Sequence, residues 1–169
     1  LIKSGHFFIS ETPDKPSLGW DASYIRPTIW AIVKDKLTKK SILLINTHLD
    51  NNGHEARKNG CKQLADFIHQ NPKTKSVIVT GDFNTTLKSG EMDGLVNSSV
   101  KPVQQKLTVP AYGPTWSFQG FGSVPEDKRE LIDYIFVSPD WKVKRLGVLT
   151  DMWNGHWPSD HCPVLTEIE

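Results

Sequence analysis

Six short apolar runs divide the chain and are separated by longer polar stretches. The runs are rich in Val, Ile and aromatic residues, which is typical of buried strands. They span residues 28–33, 42–45, 76–80, 131–138, 141–149 and 162–168. We therefore predict a core built mainly from strands, in which the first two strands are buried neighbours joined by a turn at 36–40.

One segment between these runs has helical periodicity. Four apolar residues recur there at i, i+3, i+4 and i+7 with polar residues between them, which predicts an amphipathic helix over about 54–70. They are Cys61, Leu64, Ala65 and Ile68. Because a strand, a helix and a strand follow one another in this part of the chain, the pattern indicates the α/β class.

Two stretches lack a regular pattern. Residues 10–26 are rich in turn formers and carry Trp20 and Tyr24, so we predict a long surface loop. Loops of that length tend to be functional. Residues 88–130 are irregular, with one short strand predicted at 115–118.

Composition narrows the class of protein. With 169 residues, 37% of them hydrophobic and 23% charged, the chain fits a soluble globular protein, and we expect residues 1–169 to form a single domain. No apolar run approaches the roughly 20 residues that a membrane-spanning helix needs. Twenty Lys and Arg against nineteen Asp and Glu give a net charge of +1, which excludes a global basic field and leaves only a local basic groove for nucleic acid.

Several site types are disfavoured by missing motifs. The two cysteines, Cys61 and Cys162, are too few for a disulfide-stapled fold, and neither belongs to a close Cys or His pair with zinc-finger spacing. No Gly-rich nucleotide loop and no Gly-x-Ser-x-Gly elbow is present, so the sequence supports neither a nucleotide cofactor nor a serine hydrolase.

Polar residues concentrate at the ends of the predicted strands, where ligands of α/β sheets gather. Thr47-His48-Leu49-Asp50 follows the second strand, Gly81-Asp82-Phe83-Asn84 follows the third, and Ser159-Asp160-His161 precedes the last. Asp133 lies inside an otherwise apolar strand, where a carboxylate is costly unless a partner such as an imidazole binds it. We expect that partner to be a histidine elsewhere in the fold.

These residue types together indicate metal-assisted hydrolysis. Histidine can act as a base or acid near neutral pH, carboxylates bind Mg²⁺ through oxygen, and an amide can hold a phosphate or the attacking water. Each residue alone is a weak signal, because strand-end histidines and aspartates often have structural roles. The interpretation as a site of metal-assisted hydrolysis rests on the occurrence of all these residues together.

Four motifs resemble those of the endonuclease/exonuclease/phosphatase superfamily, which has the DNase I-like fold. They are Asn46-Thr47-His48-Leu49-Asp50, Gly81-Asp82-Phe83-Asn84, Leu131-Ile132-Asp133-Tyr134-Ile135 and Ser159-Asp160-His161-Cys162-Pro163, in the family's order and spacing. The opening segment 7–26 further resembles bacterial members of uncharacterised substrate. The resemblance implies a four-layer α/β/β/α sandwich of two packed sheets, and an attack of water on a phosphate ester that depends on Mg²⁺ or Mn²⁺.

The resemblance also implies roles for individual residues. His161 would be the base that activates the water, and Asp133 would orient it. Asp82 and Asn84 would orient the nucleophile and bind the scissile phosphate, while His48 would assist the phosphate or the leaving group.

Three further residues have implied roles at the metal or the substrate. Asp160 would approach the metal, directly or through water, together with Asp82. Arg26 is similar to an arginine that contacts phosphate in some members. Trp116 is a candidate substrate contact, because aromatic side chains beside a phosphate site can stack on bases or sugars, although the loop tryptophans can equally serve only to pack the loops.

The chain departs from the family in its first half. Family members are usually longer, and their early Asn, main metal-binding Glu and the acid that pairs with the first histidine match nothing here; Glu11, Glu55 and Glu91 lie outside the matching motifs. We therefore expect the C-terminal two-thirds of the domain, with exposed apolar faces and unpaired edges. Such a chain would be marginally stable, self-associate or pair with the missing N-terminal part.

The substrate stays open at this point. The family acts on nucleic acids, phospholipid headgroups and other phosphate esters, so a phosphodiesterase or nuclease is one reading and a lipid or sugar phosphate phosphatase is another, which the near-neutral charge favours. A non-catalytic binding module is a third, because the metal-binding Glu is absent. The sequence leaves the location open between the bacterial cytoplasm and secretion.

Overall fold

The computed structural model describes residues 1–169 and contains two β-sheets and one long helix. In chain order the elements are β1 (Lys3–Phe8), β2 (Pro27–Lys34), β3 (Ser41–His48), α1 (His54–His69), β4 (Ser76–Asp82), α2 (Asp93–Val96), β5 (Lys101–Pro102), α3 (Val103–Lys106), β6 (Asp133–Val137), β7 (Val143–Val148) and β8 (Val164–Ile168). Two 3₁₀ turns, at Gly120–Gly122 and Glu126–Lys128, lie in the long connection before β6.

The larger sheet has six strands in the order β1-β2-β3-β4-β6-β5. Its only parallel pair is β3 with β4, which α1 connects; every other neighbouring pair is antiparallel. A parallel pair needs a crossover connection, which explains why the amphipathic helix falls between these two strands. The remaining strands, β7 and β8, form a separate antiparallel pair.

One face of the six-stranded sheet packs against α1. Alternate residues of β3, β4 and β6 point to this face and meet the apolar stripe of the helix, because side chains alternate along a strand. Leu43, Val79 and Phe136 are fully buried here, as are Cys61 and Leu64 of the helix. This contact forms the main core of 16 buried residues, and it fixes β3 and β4 side by side at the centre of the sheet.

The opposite face is covered only in part. The intervening residues Ile78, Ile135 and Val137 of β4 and β6 pack against the β7–β8 sheet. Towards β2 this cover ends, and Ile29 and Leu44 remain 58% and 37% exposed along an apolar groove. The prediction that the first two strands are buried is therefore wrong for this face, because the two-stranded sheet is too small to reach them.

Most predicted elements are present with shifted ends. The α/β class and the packing of two sheets are confirmed, with a helix layer, a six-stranded sheet and a two-stranded sheet as three layers of the predicted sandwich. The helix covers 54–69, and residues 10–26 form the predicted loop without helix or strand. None of the helices has the length and apolar character needed to cross a membrane.

The structure differs from the sequence-based expectations in one predicted strand and in one strand that the sequence does not predict. The predicted strand at 115–118 is reduced to one bridge, between Phe118 and His161, because its neighbours bond to loop residues instead. Conversely, β1 has no clear strand pattern in the sequence, because three of its six residues are polar and its only sheet neighbour is β2. Self-association of the uncovered sheet face stays a prediction.

Candidate active site

The strand register places three of the motif residues in one row. His48 at the end of β3 pairs with Asp82 at the end of β4, and Asp82 pairs with Asp133 at the start of β6. Residues directly opposite each other on neighbouring strands project to the same face. The six-stranded sheet therefore brings an imidazole and two carboxylates together at one edge, from motifs that are far apart in sequence.

The backbone around Asp82 is shaped to allow this close approach. A Cβ atom on Gly81 would lie 2.0 Å from the carbonyl oxygen of Thr47, so only glycine fits between β3 and β4 at this point. Asn84 adopts a left-handed conformation with φ of 50°, which asparagine tolerates better than most residues. Its N–H donates to Asp82 Oδ1 at 2.8 Å, and its side-chain Nδ2 donates to the Leu49 carbonyl at 2.9 Å.

The expected imidazole partner of Asp133 is His161. Nδ1 of His161 lies 2.7 Å from Oδ2 of Asp133. An ionised carboxylate can only accept a hydrogen bond, so Nδ1 carries the proton and donates it, and in the neutral ring Nε2 keeps a free lone pair. Nε2 lies 3.7 Å from Asp82 Oδ2, which is beyond hydrogen-bond distance.

His48 approaches the same carboxylate from the other side. Its Nε2 lies 3.3 Å from Asp82 Oδ2, and its side chain is 55% exposed to solvent. Asp82 thus stands between two histidines, and its own side chain is largely buried. No lysine or arginine forms an ion pair with Asp82, so its negative charge has no permanent cationic partner.

The pKa values of Asp82 and His48 are shifted in opposite directions. Burial and the nearby charge of Asp133 raise the pKa of Asp82, against the lowering effects of the Asn84 N–H and both histidines. Burial and the positive charges of Arg26 and His161 lower the pKa of His48, which favours its neutral form. Both shifts favour the neutral form of the side chain, and perturbed pKa values of this kind are common in catalytic centres.

The pKa of His161 is raised, whereas that of His48 is lowered. Burial alone would lower it, but the hydrogen bond to Asp133 and the negative charges of Asp133, Asp82 and Asp160 outweigh burial and raise it. The ring can therefore both accept a proton and hold it as an ion pair with Asp133. This is the property required of a group that takes a proton from water.

His48, Asp82, Asp133 and His161 line one open pocket of about 500 Å³. Asn84 does not line it, since its amide is bonded to the Leu49 carbonyl. The structure thus brings four of the five predicted catalytic residues to one cavity, and the fifth, Asn84, donates a hydrogen bond to Asp82, which lines that cavity.

Of the predicted substrate and metal residues, Asp82 lines this pocket, whereas Arg26, Trp116 and Asp160 do not. Arg26 donates to Asn51 Oδ1 and lies 3.6 Å from the Asp50 carboxylate, with its guanidinium over the Tyr24 ring. Asp160 immediately precedes His161, and its Oδ1 accepts a bond from the Ser159 hydroxyl at 3.3 Å. Neither Arg26 nor Asp160 lines the pocket itself.

Trp116 is enclosed by its neighbours. It is only 8% exposed, its ring lies edge-on to Trp157, and the Arg129 guanidinium lies 4.5 Å above it. It also belongs to a small apolar cluster with Val148 and Cys162. Most of the Trp116 surface is therefore already in contact with protein, and its contact with substrate stays a prediction.

Sequence reasoning missed one residue of this site, Ser117. Its hydroxyl lies 2.6 Å from Oδ2 of Asp133, and the residue is fully buried. The sequence contains no local signal for it, because Ser117 lies in the irregular stretch 88–130, where polar and apolar residues alternate in the short segment 115–118.

The donor atoms of this cluster suit a divalent cation in part. One ligand atom each of Asp82, Asp133 and His161 lie within 4.8 Å of one another. Asp133 and His161 already bond to each other, which leaves the partly buried Asp82 carboxylate as the group able to accept a cation. Mg²⁺ is commonly bound by only one or two carboxylates, with water and substrate phosphate as the other ligands.

The chain belongs to the Endonuclease/Exonuclease/phosphatase family, whose sequence profile matches residues 6–161. Among solved structures it is similar to a mannosyl-6-phosphatase of Bacteroides thetaiotaomicron, with 34% identity, a TM-score of 0.90 and coverage of 99% of this chain and 66% of the other. It is also similar to an endonuclease/exonuclease/phosphatase of Bacteroides vulgatus, with 32% identity, a TM-score of 0.91 and coverage of 99% and 64%.

An uncharacterised protein of Acanthamoeba polyphaga mimivirus is 30% identical over 192 aligned residues, which cover 100% of this chain and 66% of that protein. The chain thus spans just under two thirds of the length of these relatives. The predicted membership of the superfamily, and the similarity to its bacterial members, are confirmed.

Proposed function

We propose that this chain carries the base half of a phosphoester hydrolase site, in which His161 removes a proton from the attacking water. The observation that supports this role is the hydrogen bond between His161 Nδ1 and Asp133 Oδ2, at 2.7 Å. That bond orients the ring and leaves Nε2 facing the pocket as a proton acceptor. After proton transfer, the imidazolium is stabilised by the adjacent carboxylate of Asp133.

His48 and Asp82 have complementary roles in this proposal. With its lowered pKa, His48 is neutral at pH 7 and donates a hydrogen bond to a phosphoryl oxygen or to the leaving group. Asp82 Oδ2 lies between His48 Nε2 and His161 Nε2, at 3.3 and 3.7 Å, and would accept a hydrogen bond from the attacking water and so orient it. Asn84 holds the Asp82 carboxylate through its N–H and braces the His48 loop through the Leu49 carbonyl.

We propose that Asp82 is also a ligand of Mg²⁺ or Mn²⁺, with Asp160 acting through a water molecule. A bound divalent cation would neutralise charge on the phosphoryl group. The raised pKa of Asp82 supports this assignment, since a carboxylate that is buried without a cationic partner gains most from a cation. Arg26, whose positive charge helps to lower the pKa of His48, would attract the anionic substrate.

For the substrate, we propose a phosphate monoester on a sugar rather than nucleic acid. The support is the 34% identity to the Bacteroides mannosyl-6-phosphatase, together with the net charge of +1, which provides no extended field for a polyanion. The alternatives are a phosphodiesterase or nuclease, a phospholipid headgroup phosphatase, and a non-catalytic binding module.

The test is hydrolysis by the purified chain of mannose 6-phosphate, a chromogenic phosphodiester and single-stranded DNA, each with Mg²⁺, Mn²⁺ or a chelator. The proposal predicts metal-dependent phosphate release that is fastest from the sugar phosphate. Faster turnover of the diester or DNA would instead assign a phosphodiesterase. No turnover of any of them by a folded sample would support the binding module.

A further inference from the structure

Ser117 has a buried hydroxyl with three hydrogen-bond partners, all of them in Asp133 or in the preceding residue, Ile132. Its Oγ accepts the backbone N–H groups of Ile132 and Asp133, each at 3.1 Å. With those two bonds in place, the hydroxyl proton is directed at Asp133 Oδ2, 2.6 Å away. The direction of the hydroxyl is therefore fixed by the backbone and not by solvent.

The oxygen that Ser117 contacts is the one that holds His161. Asp133 Oδ2 accepts from Ser117 Oγ at 2.6 Å and from His161 Nδ1 at 2.7 Å. Two donors on one oxygen fix the rotation of the carboxylate about its Cβ–Cγ bond, which in turn fixes the plane of the imidazole. The Ser117 carbonyl also accepts the N–H of Cys162 at 2.7 Å, so the same residue anchors the backbone next to His161.

The other end of β6 has a nearly identical arrangement without a histidine. Ser138 is also buried, its Oγ accepts the Val77 N–H at 2.7 Å, and it donates to Asp140 Oδ1 at 2.6 Å. The second oxygen of Asp140 accepts from the Ser76 hydroxyl. Both pairs therefore stabilise the ends of β6, but only the Ser117 pair is connected to an imidazole in the pocket.

We propose that Ser117 is a positioning residue of the hydrolytic site, which locks the Asp133 carboxylate so that His161 Nε2 faces the substrate. This inference rests on the proposed function, because it gives Ser117 a role in the reaction through Asp133 and His161. It predicts that removal of the hydroxyl disorders the His161 ring even when the fold is intact. Loss of the Ser138 hydroxyl should leave that ring unchanged.

The experiment compares Ser117→Ala with its matched control Ser138→Ala, since each removes one buried hydroxyl that joins a backbone N–H to a carboxylate. The first measurement is the NMR signal of the His161 Nδ1 proton, together with the two ring nitrogen shifts, which report the tautomer and the hydrogen bond to Asp133. The second is kcat and KM for whichever phosphate ester the wild type hydrolyses.

We expect both variants to lose a similar amount of thermal stability. Only Ser117→Ala should lose the sharp Nδ1 proton signal and lower kcat, by about 10- to 100-fold, with KM changed less than threefold. If Ser117→Ala does not fold, Ser117→Cys, which keeps the size but donates only weakly, should give the same spectral change.

An unchanged Nδ1 signal and kcat in folded Ser117→Ala or Ser117→Cys would overturn the proposal, as would an equal change in Ser138→Ala. The NMR comparison needs no turnover. If the wild type hydrolyses nothing, the proposed function fails, while the ring signal still decides whether Ser117 positions His161.

Discussion

Two carboxylates nine residues apart, the partly buried Asp82 and the buried Glu91, have opposite surroundings. Glu91 accepts bonds from Arg57 Nε at 2.6 Å and Nη2 at 3.0 Å, and is also bonded to His54. Burial would raise its pKa, but the bonds from Arg57, Thr85 and His54 and the Arg57 charge outweigh burial and lower it to about 2. Asp82 accepts the Asn84 N–H and lies near two histidines, but no arginine or lysine pairs with it, and burial and the charge of Asp133 raise its pKa.

The difference separates a structural carboxylate from one that can accept a ligand. The bidentate Arg57 guanidinium neutralises Glu91, and Arg57 also donates to the Asp50 carbonyl, so this cluster ties α1 to the loop after β3. Asp82 retains an uncompensated charge at the mouth of a pocket. A cation or a water molecule bound to a phosphate can therefore stabilise the ionised form of Asp82. The Glu91 carboxylate is already neutralised by Arg57 and would not be stabilised further.

We expect the largest difference between the two sites when one histidine is removed from each, His161 beside Asp82 and His54 beside Glu91. Both His161 and His54 bond a carboxylate through Nδ1, but only His161 lines the pocket. We expect His161→Ala to lower kcat by about 10²- to 10⁴-fold, the usual contribution of a general base. His54→Ala should keep turnover within about threefold. Similar losses in the two variants, measured by phosphate release, would contradict the assignment of His161.

The next largest effect is on stability. Glu91→Gln leaves the buried Arg57 charge without a partner, and we expect a loss of about 3 kcal/mol in the free energy of unfolding. Urea denaturation followed by circular dichroism measures this loss. The neighbouring surface pair provides the control, because Asp66→Asn removes only the exposed ion pair to Lys62 and should cost less than about 0.5 kcal/mol.

For Asp82→Asn we expect the opposite effect on the free energy of unfolding. Because burial disfavours the ionised form of Asp82, the neutral amide should give equal or higher stability, by up to about 1 kcal/mol at pH 7, while turnover falls. Measured under the same urea conditions, a loss as large as that of Glu91→Gln would show that Asp82 is a structural residue.

The pH dependence of stability provides a smaller test. The folded pKa of Glu91 is lowered from 4.5 to about 2, so its contribution is present above the unfolded value and is lost as pH falls through this window. Stability of the wild type should decline between about pH 5 and pH 2, and Glu91→Gln should decline less steeply. Equal slopes for the two proteins would remove Glu91 as a source of acid sensitivity.

Local sequence patterns predicted the parts of this fold that depend on local burial. The strand runs and the 3.6-residue period of α1 are visible in the sequence because each element has an apolar face. The strand-end motifs point to His48, Asp82 and His161, and the carboxylate inside an apolar run points to Asp133. The pairing partner of Asp133 could be expected because a carboxylate inside an apolar strand needs a donor.

The remaining features depend on contacts between distant segments. β1 exists because it pairs with β2, and the uncovered face around Ile29 follows from the small size of the β7–β8 sheet. Glu91 gave no local sign of its bond to Arg57, 34 residues earlier, and Ser117 gave none of its bond to Asp133. Such partners become visible only when the strands are assembled.

The most direct test of the contrast between the two carboxylates is the melting temperature of the wild type, Asp82→Asn and Glu91→Gln in Mg²⁺ or Mn²⁺ and in chelator. If Asp82 is the carboxylate that accepts the cation, the metal should raise the melting temperature of the wild type and of Glu91→Gln by several degrees and leave Asp82→Asn unchanged. An equal rise in Asp82→Asn, or no rise in the wild type, would contradict a metal site at Asp82.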